Sequence, residues 1–78
     1  MSDPQDFSVL TTEAELRGFI ARGEARSIER GAHRLKGGLG ILGATSASVA
    51  ALAVEQAGKT SDMASAENLM RILEREMS

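Results

Sequence analysis

His33 is the only histidine in the 78-residue chain, and its neighbours are the residues whose types and spacing could do chemistry. A neutral imidazole, with a reference pKa of about 6.5, is a nucleophile at cellular pH. Nucleophilic histidine can take up a group covalently and pass it on. Lys36 follows three residues later, within reach of the imidazole on a helix. Gly37 comes one turn after His33, with Gly40 close to the same face, and Arg30 and Arg26 come one and two turns before. A bare patch beside an imidazole ringed by cations suits an incoming anion and a docking surface. Phosphoryl transfer needs positioning and charge neutralisation more than covalent help from the protein. Lys36 could neutralise part of such a group. No nucleotide loop in a workable context and no acidic pocket for Mg²⁺ accompany it, so the site reads as a carrier of phosphoryl groups and not as an autonomous kinase.

Two other chemistries are weaker. Gly38-Leu39-Gly40-Ile41-Leu42-Gly43 matches G-x-G-x-x-G, and Asp62 lies a suitable distance downstream. The dinucleotide motif needs a strand before it and a helix after it in a parallel sheet. Here a helical stripe precedes the glycines. Metal binding through His33 lacks partners, because there is no Cys and no second His, and Glu29 is the only nearby carboxylate at helical spacing. No metal site is expected.

The elements that must position His33 are helices. Ile28, Ala32, Leu35, Leu39 and Leu42 alternate spacings of four and three, the stripe of a helix buried along one side. Relative to that stripe His33 points about 140° away, onto the outer face. This helix begins near Glu24 and stops near Gly43. Thr45 or Ser46 can cap a third helix, with Val49, Leu52 and Ala53 inward and Gly58 as its C-terminal signal. A fourth starts at Ser61 or Asp62. Its inward residues are Met63, Ala66, Met70, Leu73 and Met77, with Leu69 and Ile72 widening the stripe, and the methionines read as core filling. Arg71, Glu74, Arg75 and Glu76 read as a solvated face. Before all of these, residues 1–11 read as an arm, with Ser2, Asp3, Pro4 and Asp6 favouring irregular structure, although Phe7, Val9 and Leu10 could fold back onto the domain. Thr12-Glu13-Ala14-Glu15 has the form of a capping box, opening a first helix of about ten residues with Leu16, Phe19 and Ile20 on one side. The expectation is an all-α fold, a small antiparallel up-and-down four-helix bundle with a short first helix, over residues 12–78. Part of such a bundle would be uncovered, so a monomer or weak homodimer is expected.

Composition agrees. Twelve Ala, two Phe and no Trp or Tyr favour helices over sheets. The net charge of −2 argues against a nucleic-acid partner. No signal peptide and no run of about 20 apolar residues is present, so no membrane partner is expected and the cytoplasm is the default setting.

Ala32-His33-Arg34-Leu35-Lys36-Gly37, followed by Leu42-Gly43-Ala44, resembles the core motif of histidine phosphotransfer domains of bacterial phosphorelay systems. Gly23-Glu24 resembles that family's turn before the active helix, and Val54-Glu55 the apolar-Glu pair of its third helix, so the likeness spans about residues 12–77. The resemblance implies a phosphorelay intermediate. His33 would accept a phosphoryl group on Nε2 from the aspartyl phosphate of a response-regulator receiver domain and pass it to another. Lys36 would stabilise the phosphate and Gly37 would keep the imidazole accessible. The receiver would supply Mg²⁺, and a hybrid sensor histidine kinase is a further expected partner. From the helical wheel, the docking face would include Arg26, Arg30, Arg34, Gly40 and Ile41. Two departures stand out: many members have a longer first helix, and Gly31 stands where a larger apolar residue is common. The competing reading is a non-catalytic helical interaction module with an incidental exposed histidine. Under it, His33→Gln would leave every partner interaction unchanged.

Overall fold

A computed structural model of the chain describes residues 4–77, with side chains from Thr12 onward. Four helices run in sequence: α1 (Pro4–Arg22), α2 (Ala25–Ile41), α3 (Thr45–Lys59) and α4 (Met63–Met77). No strand occurs among the described residues. Short turns connect the helices, and each helix packs against the next, as an up-and-down bundle requires. The most extensive packing is between α2 and α3, and the closing seam between α1 and α4 is the least.

The first helix corrects the sequence expectation. It has 19 residues and starts at Pro4, so residues 4–11 are helical and not an irregular arm. Proline is tolerated in the first helical turn, where its missing N–H would have no partner in any case. Thr12 therefore sits mid-helix and buried, and caps nothing. The expectation that Phe7, Val9 and Leu10 fold back lies outside the described side chains. Leu16 and Ile20 do enter the core, and Phe19 packs partly buried against it.

The three turns share one hydrogen-bond pattern. At each, one residue adopts a positive φ: Gly23 (68°), Gly43 (78°) and Ser61 (57°). The next residue's N–H then reaches back five residues: Glu24 to the Phe19 carbonyl, Ala44 to Leu39 and Asp62 to Ala57, at 2.9–3.0 Å. This is the Schellman closure, which satisfies carbonyls orphaned at a helix end. In the third turn a serine, not Gly58, takes the left-handed conformation.

Gly58 has a different task. A Cβ there would lie 2.7 Å from the Glu29 backbone nitrogen and 3.1 Å from the Ala25 carbonyl oxygen, so only glycine allows this approach of α3 to α2. Small residues line the rest of the contact. Ala47, Ala51, Val54 and Ala57 face the core, while Val49 and Leu52, expected inward, are exposed, and Ala53 is half-buried. Two helices drawn this close leave no room between them for larger side chains. Ala44 occupies the N-cap position, and neither Thr45 nor Ser46 caps α3. On α2 the stripe Ile28, Ala32, Leu35 and Leu39 is buried as expected, but Leu42 lies beyond the helix and is exposed. On α4, Ala66, Met70 and Leu73 are buried, Met63, Leu69 and Met77 pack at the margin, and Ile72 is exposed.

Candidate functional site at the seam of helices 2 and 3

His33 lies midway along α2 on the side away from the core, and its side chain is 68% exposed. Its Nδ1 is 3.3 Å from Oε2 of Glu55, which comes from α3. The other carboxylate oxygen, Oε1, is 3.4 Å from Nζ of Lys36. Glu55 is the buried member of the three, at 8% exposure. Oε1 has no directed hydrogen-bond donor, so charge and not hydrogen-bond alignment joins it to Lys36. An acid this buried needs such partners, because an unpaired buried carboxylate is strongly disfavoured. Ser48, two turns before Glu55, donates a hydrogen bond from Oγ to the Lys36 carbonyl at 3.2 Å and fixes the register of α3 against α2.

Glu55 acts on the imidazole through distance and charge, since no aligned hydrogen bond joins Nδ1 to Oε2. A carboxylate beside Nδ1 favours the tautomer with the proton on Nδ1, as in carboxylate–histidine pairs elsewhere. Nε2 then carries the lone pair, on the ring's far side from Glu55. Gly37, one turn on, is exposed and meets nothing within 4 Å of where a Cβ would be, so the approach past it is open. A shallow cleft of about 580 Å³ adjoins the imidazole, lined by Glu29, Arg30, His33, Arg34 and Glu55.

The residues expected at the site do not all converge. His33, Lys36 and Gly37 come together with Glu55. Arg26, Arg30, Gly40 and Ile41 are exposed along the same helix, Ile41 at 66%. Arg34 is turned toward the other edge of α2, where with Arg30 it also lines a groove shared with Glu15 and Phe19 of α1. Four glycines in one helix raise the question of a close backbone approach, either within the bundle or by a partner. Gly37 is open, and a Cβ at Gly31 or Gly40 would meet only ordinary side-chain contacts, so the approach within the bundle is made by Gly58 of α3. Glu55 had entered the sequence reading only as part of a family pattern. Its signal was available in the stripe Ser48, Leu52, Glu55 and Lys59, spaced four, three and four along α3.

Among the described residues no group of three or more His, Cys, Asp or Glu side chains is arranged to hold a metal ion. No helix among them is long and apolar enough to cross a membrane. No curated protein and no solved structure matches the chain. A family model, that of the Hpt domain, matches residues 5–78, a span that includes nearly all of α1 as well as the His33 motif. An exposed imidazole braced by a carboxylate on a four-helix bundle, and a family match over almost the whole sequence, lead to one assignment: the chain belongs to the Hpt domain family, whose members transfer phosphoryl groups through histidine in phosphorelays.

Proposed function

We propose that the chain is a phosphorelay intermediate in which His33 accepts a phosphoryl group from the aspartyl phosphate of a response-regulator receiver domain and passes it to the aspartate of another. A hybrid sensor histidine kinase is one source of the first receiver. The observation that carries this reading is the exposed imidazole whose Nδ1 is held 3.3 Å from the buried carboxylate of Glu55. In the accepting step the Nε2 lone pair forms the N–P bond while the aspartyl O–P bond breaks, and the aspartate leaves as a carboxylate. No proton leaves the ring, so the phosphorylated imidazole, still protonated on Nδ1, becomes positively charged beside Glu55. Passing the group on reverses these changes.

Lys36 is the proposed phosphate-stabilising residue, and its present position says how. Its ammonium is at Oε1 of Glu55, the carboxylate whose other oxygen is beside Nδ1. On phosphorylation it turns to the phosphoryl oxygens, and the newly charged imidazole neutralises Glu55 in its place. Every charge then has a partner in both states, which limits the electrostatic cost of transfer. Gly37 keeps the path to Nε2 clear. Mg²⁺ belongs to the receiver in this proposal, as does the acidic pocket around its aspartate. Arg26, Arg30, Arg34, Gly40 and Ile41 contribute to the docking face. The proposal includes a cytoplasmic setting.

The test is transfer from phosphorylated receiver domains of the same genome to the wild type and to His33→Gln. An acid-labile, base-stable phosphate on the wild type alone, with the variant still helical by circular dichroism, is the expected result. A folded wild type that takes phosphate from no receiver would overturn the reading and leave the interaction-module alternative.

A further inference from the structure

The face around His33 has two chemically different ends. Lys59 and Leu52 lie on the same side of α3 as Glu55, at spacings of four and three residues from it. Because Gly58 is pressed against Ala25 and Glu29, the end of α3 that carries Lys59 meets the first turns of α2, where Arg26 stands. At that end Arg26, Arg30 and Lys59 are exposed and have no ion-pair partner among the described residues, and the three cations outnumber the half-buried Glu29 that shares it. Leu52 lies between Ser48, which is bonded to the Lys36 carbonyl, and Glu55, so it borders the other half of the face. There Leu52 is 39% exposed, and Ile41 at the end of α2 is 66% exposed. Between them Gly37 and Gly40 leave the surface low. At 1.5 Å per residue, Arg26 and Ile41 are about 22 Å apart along the helix, with His33 near the middle.

Resting on the phosphotransfer reading, we propose that this polarity sets which receivers dock and in which orientation. The fitting receiver has acidic surface on one side of its phosphorylatable aspartate, to meet Arg26, Arg30 and Lys59. On the other side it has exposed apolar residues, to cover Ile41 and Leu52. A receiver placed the other way round would set carboxylates on Leu52 and leave three cations unpaired, so the face excludes it as well as selecting the right one. Opposite charges steer the encounter and depend on salt, while apolar burial holds the complex and does not.

The experiment measures transfer rate against receiver concentration, at low and high salt, for the wild type, Arg26→Glu/Lys59→Glu and Leu52→Asp. All three substituted positions are exposed, and circular dichroism checks that the variants fold. Both variants are expected to raise the half-saturating receiver concentration tenfold or more. The charge-reversed variant is also expected to lose the salt dependence of the wild type, whereas Leu52→Asp keeps it. Wild-type concentration dependence in either variant, or an unchanged salt response in the charge-reversed one, would overturn the two-ended face while leaving transfer through His33 standing. Absence of transfer by the wild type itself would remove the phosphotransfer reading and this inference with it.

Discussion

Glu55 divides its two carboxylate oxygens between His33 and Lys36, and that division makes it the residue most informative to change. Glu55→Gln keeps the shape and removes the charge. The variant has nothing to neutralise a phosphorylated, Nδ1-protonated ring, and Lys36 loses its resting partner. Losing a group that orients and charges a functional imidazole typically costs about 10–100-fold in activity. A drop of that size in transfer from a receiver is expected, with the fold unchanged. Nitrogen-15 NMR of the neutral imidazole gives an independent reading. The wild type should hold its proton on Nδ1, and Glu55→Ala should move it toward Nε2. A wild type already protonated on Nε2 would show that Glu55 does not select the tautomer. His33, Lys36 and Gly37 were legible in the sequence because all three share one helix, where spacing fixes direction. Glu55 comes from another helix, and spacing within α2 says nothing of what α3 brings to it.

The elements carry their own tests, beginning with two glycines that are alike in sequence and opposite in surroundings. Gly58→Ala would place a Cβ against backbone atoms of α2 at 2.7–3.1 Å, which cannot be relieved by turning a side chain. Overpacking of this kind costs about 1–3 kcal/mol, against a helix-propensity gain of roughly 1 kcal/mol. A lower melting temperature is expected. Gly37→Ala meets nothing, so the melting temperature should rise by the roughly 0.5–1 kcal/mol that alanine gains over glycine in a helix, which is several degrees in a domain of this size. Slower transfer from receivers should accompany that gain in stability. The cap of α4 is a third test. Asp62 accepts hydrogen bonds from the Ser65 hydroxyl at 2.7 Å and the Ser65 N–H at 3.1 Å, and these hold its carboxyl below the ordinary carboxylate range. A depressed carboxyl stabilises the fold above its unfolded value, about 3.9, and the benefit is lost as pH falls through the lower folded value. Asp62→Ala should therefore melt earlier than wild type at pH 7, with the gap closing in strong acid. A gap that persists there would mean the carboxylate is not its source. Helices 2 and 4 were readable because Ile, Leu and Met stand out from their neighbours. In α3 the buried side is mostly alanine, so the larger Val49 and Leu52 drew the expected face the wrong way. In α1, Pro4 and the nearby acids have turn character, yet the same residues are compatible with a helix's first turn.

At the scale of the molecule the bundle is unevenly joined, and the uneven joining bears on where the site sits. The α2–α3 seam has the closest backbone approach, the Ser48 tie and most of the buried small residues, and it is the seam that holds His33 and Glu55. The α1–α4 seam is the loosest. A cleft lined by Arg17, Ile20, Met70 and Glu74 opens along it, and the Arg17–Glu74 pair at 2.7 Å spans it. Arg17 is 60% exposed, and a pair so open to water contributes about 0–1 kcal/mol, too little to close the seam by itself. Regions with few buried contacts open at lower free energy than the rest of a fold. Native-state hydrogen exchange should then show graded protection. Amides of α1 between Thr12 and Arg22 should exchange before those in the middle of α2 and α3, and Arg17→Ala should widen that gap while leaving transfer through His33 in place. The reverse order, with α2 amides exchanging first, would mean that the small-residue seam does not hold the site rigid. It would also mean that the 3.3 Å spacing of His33 and Glu55 is not maintained between encounters. A site that needs one imidazole tautomer and one open path must keep its two helices together, and weak packing at the α1–α4 seam lets the bundle open there without parting them.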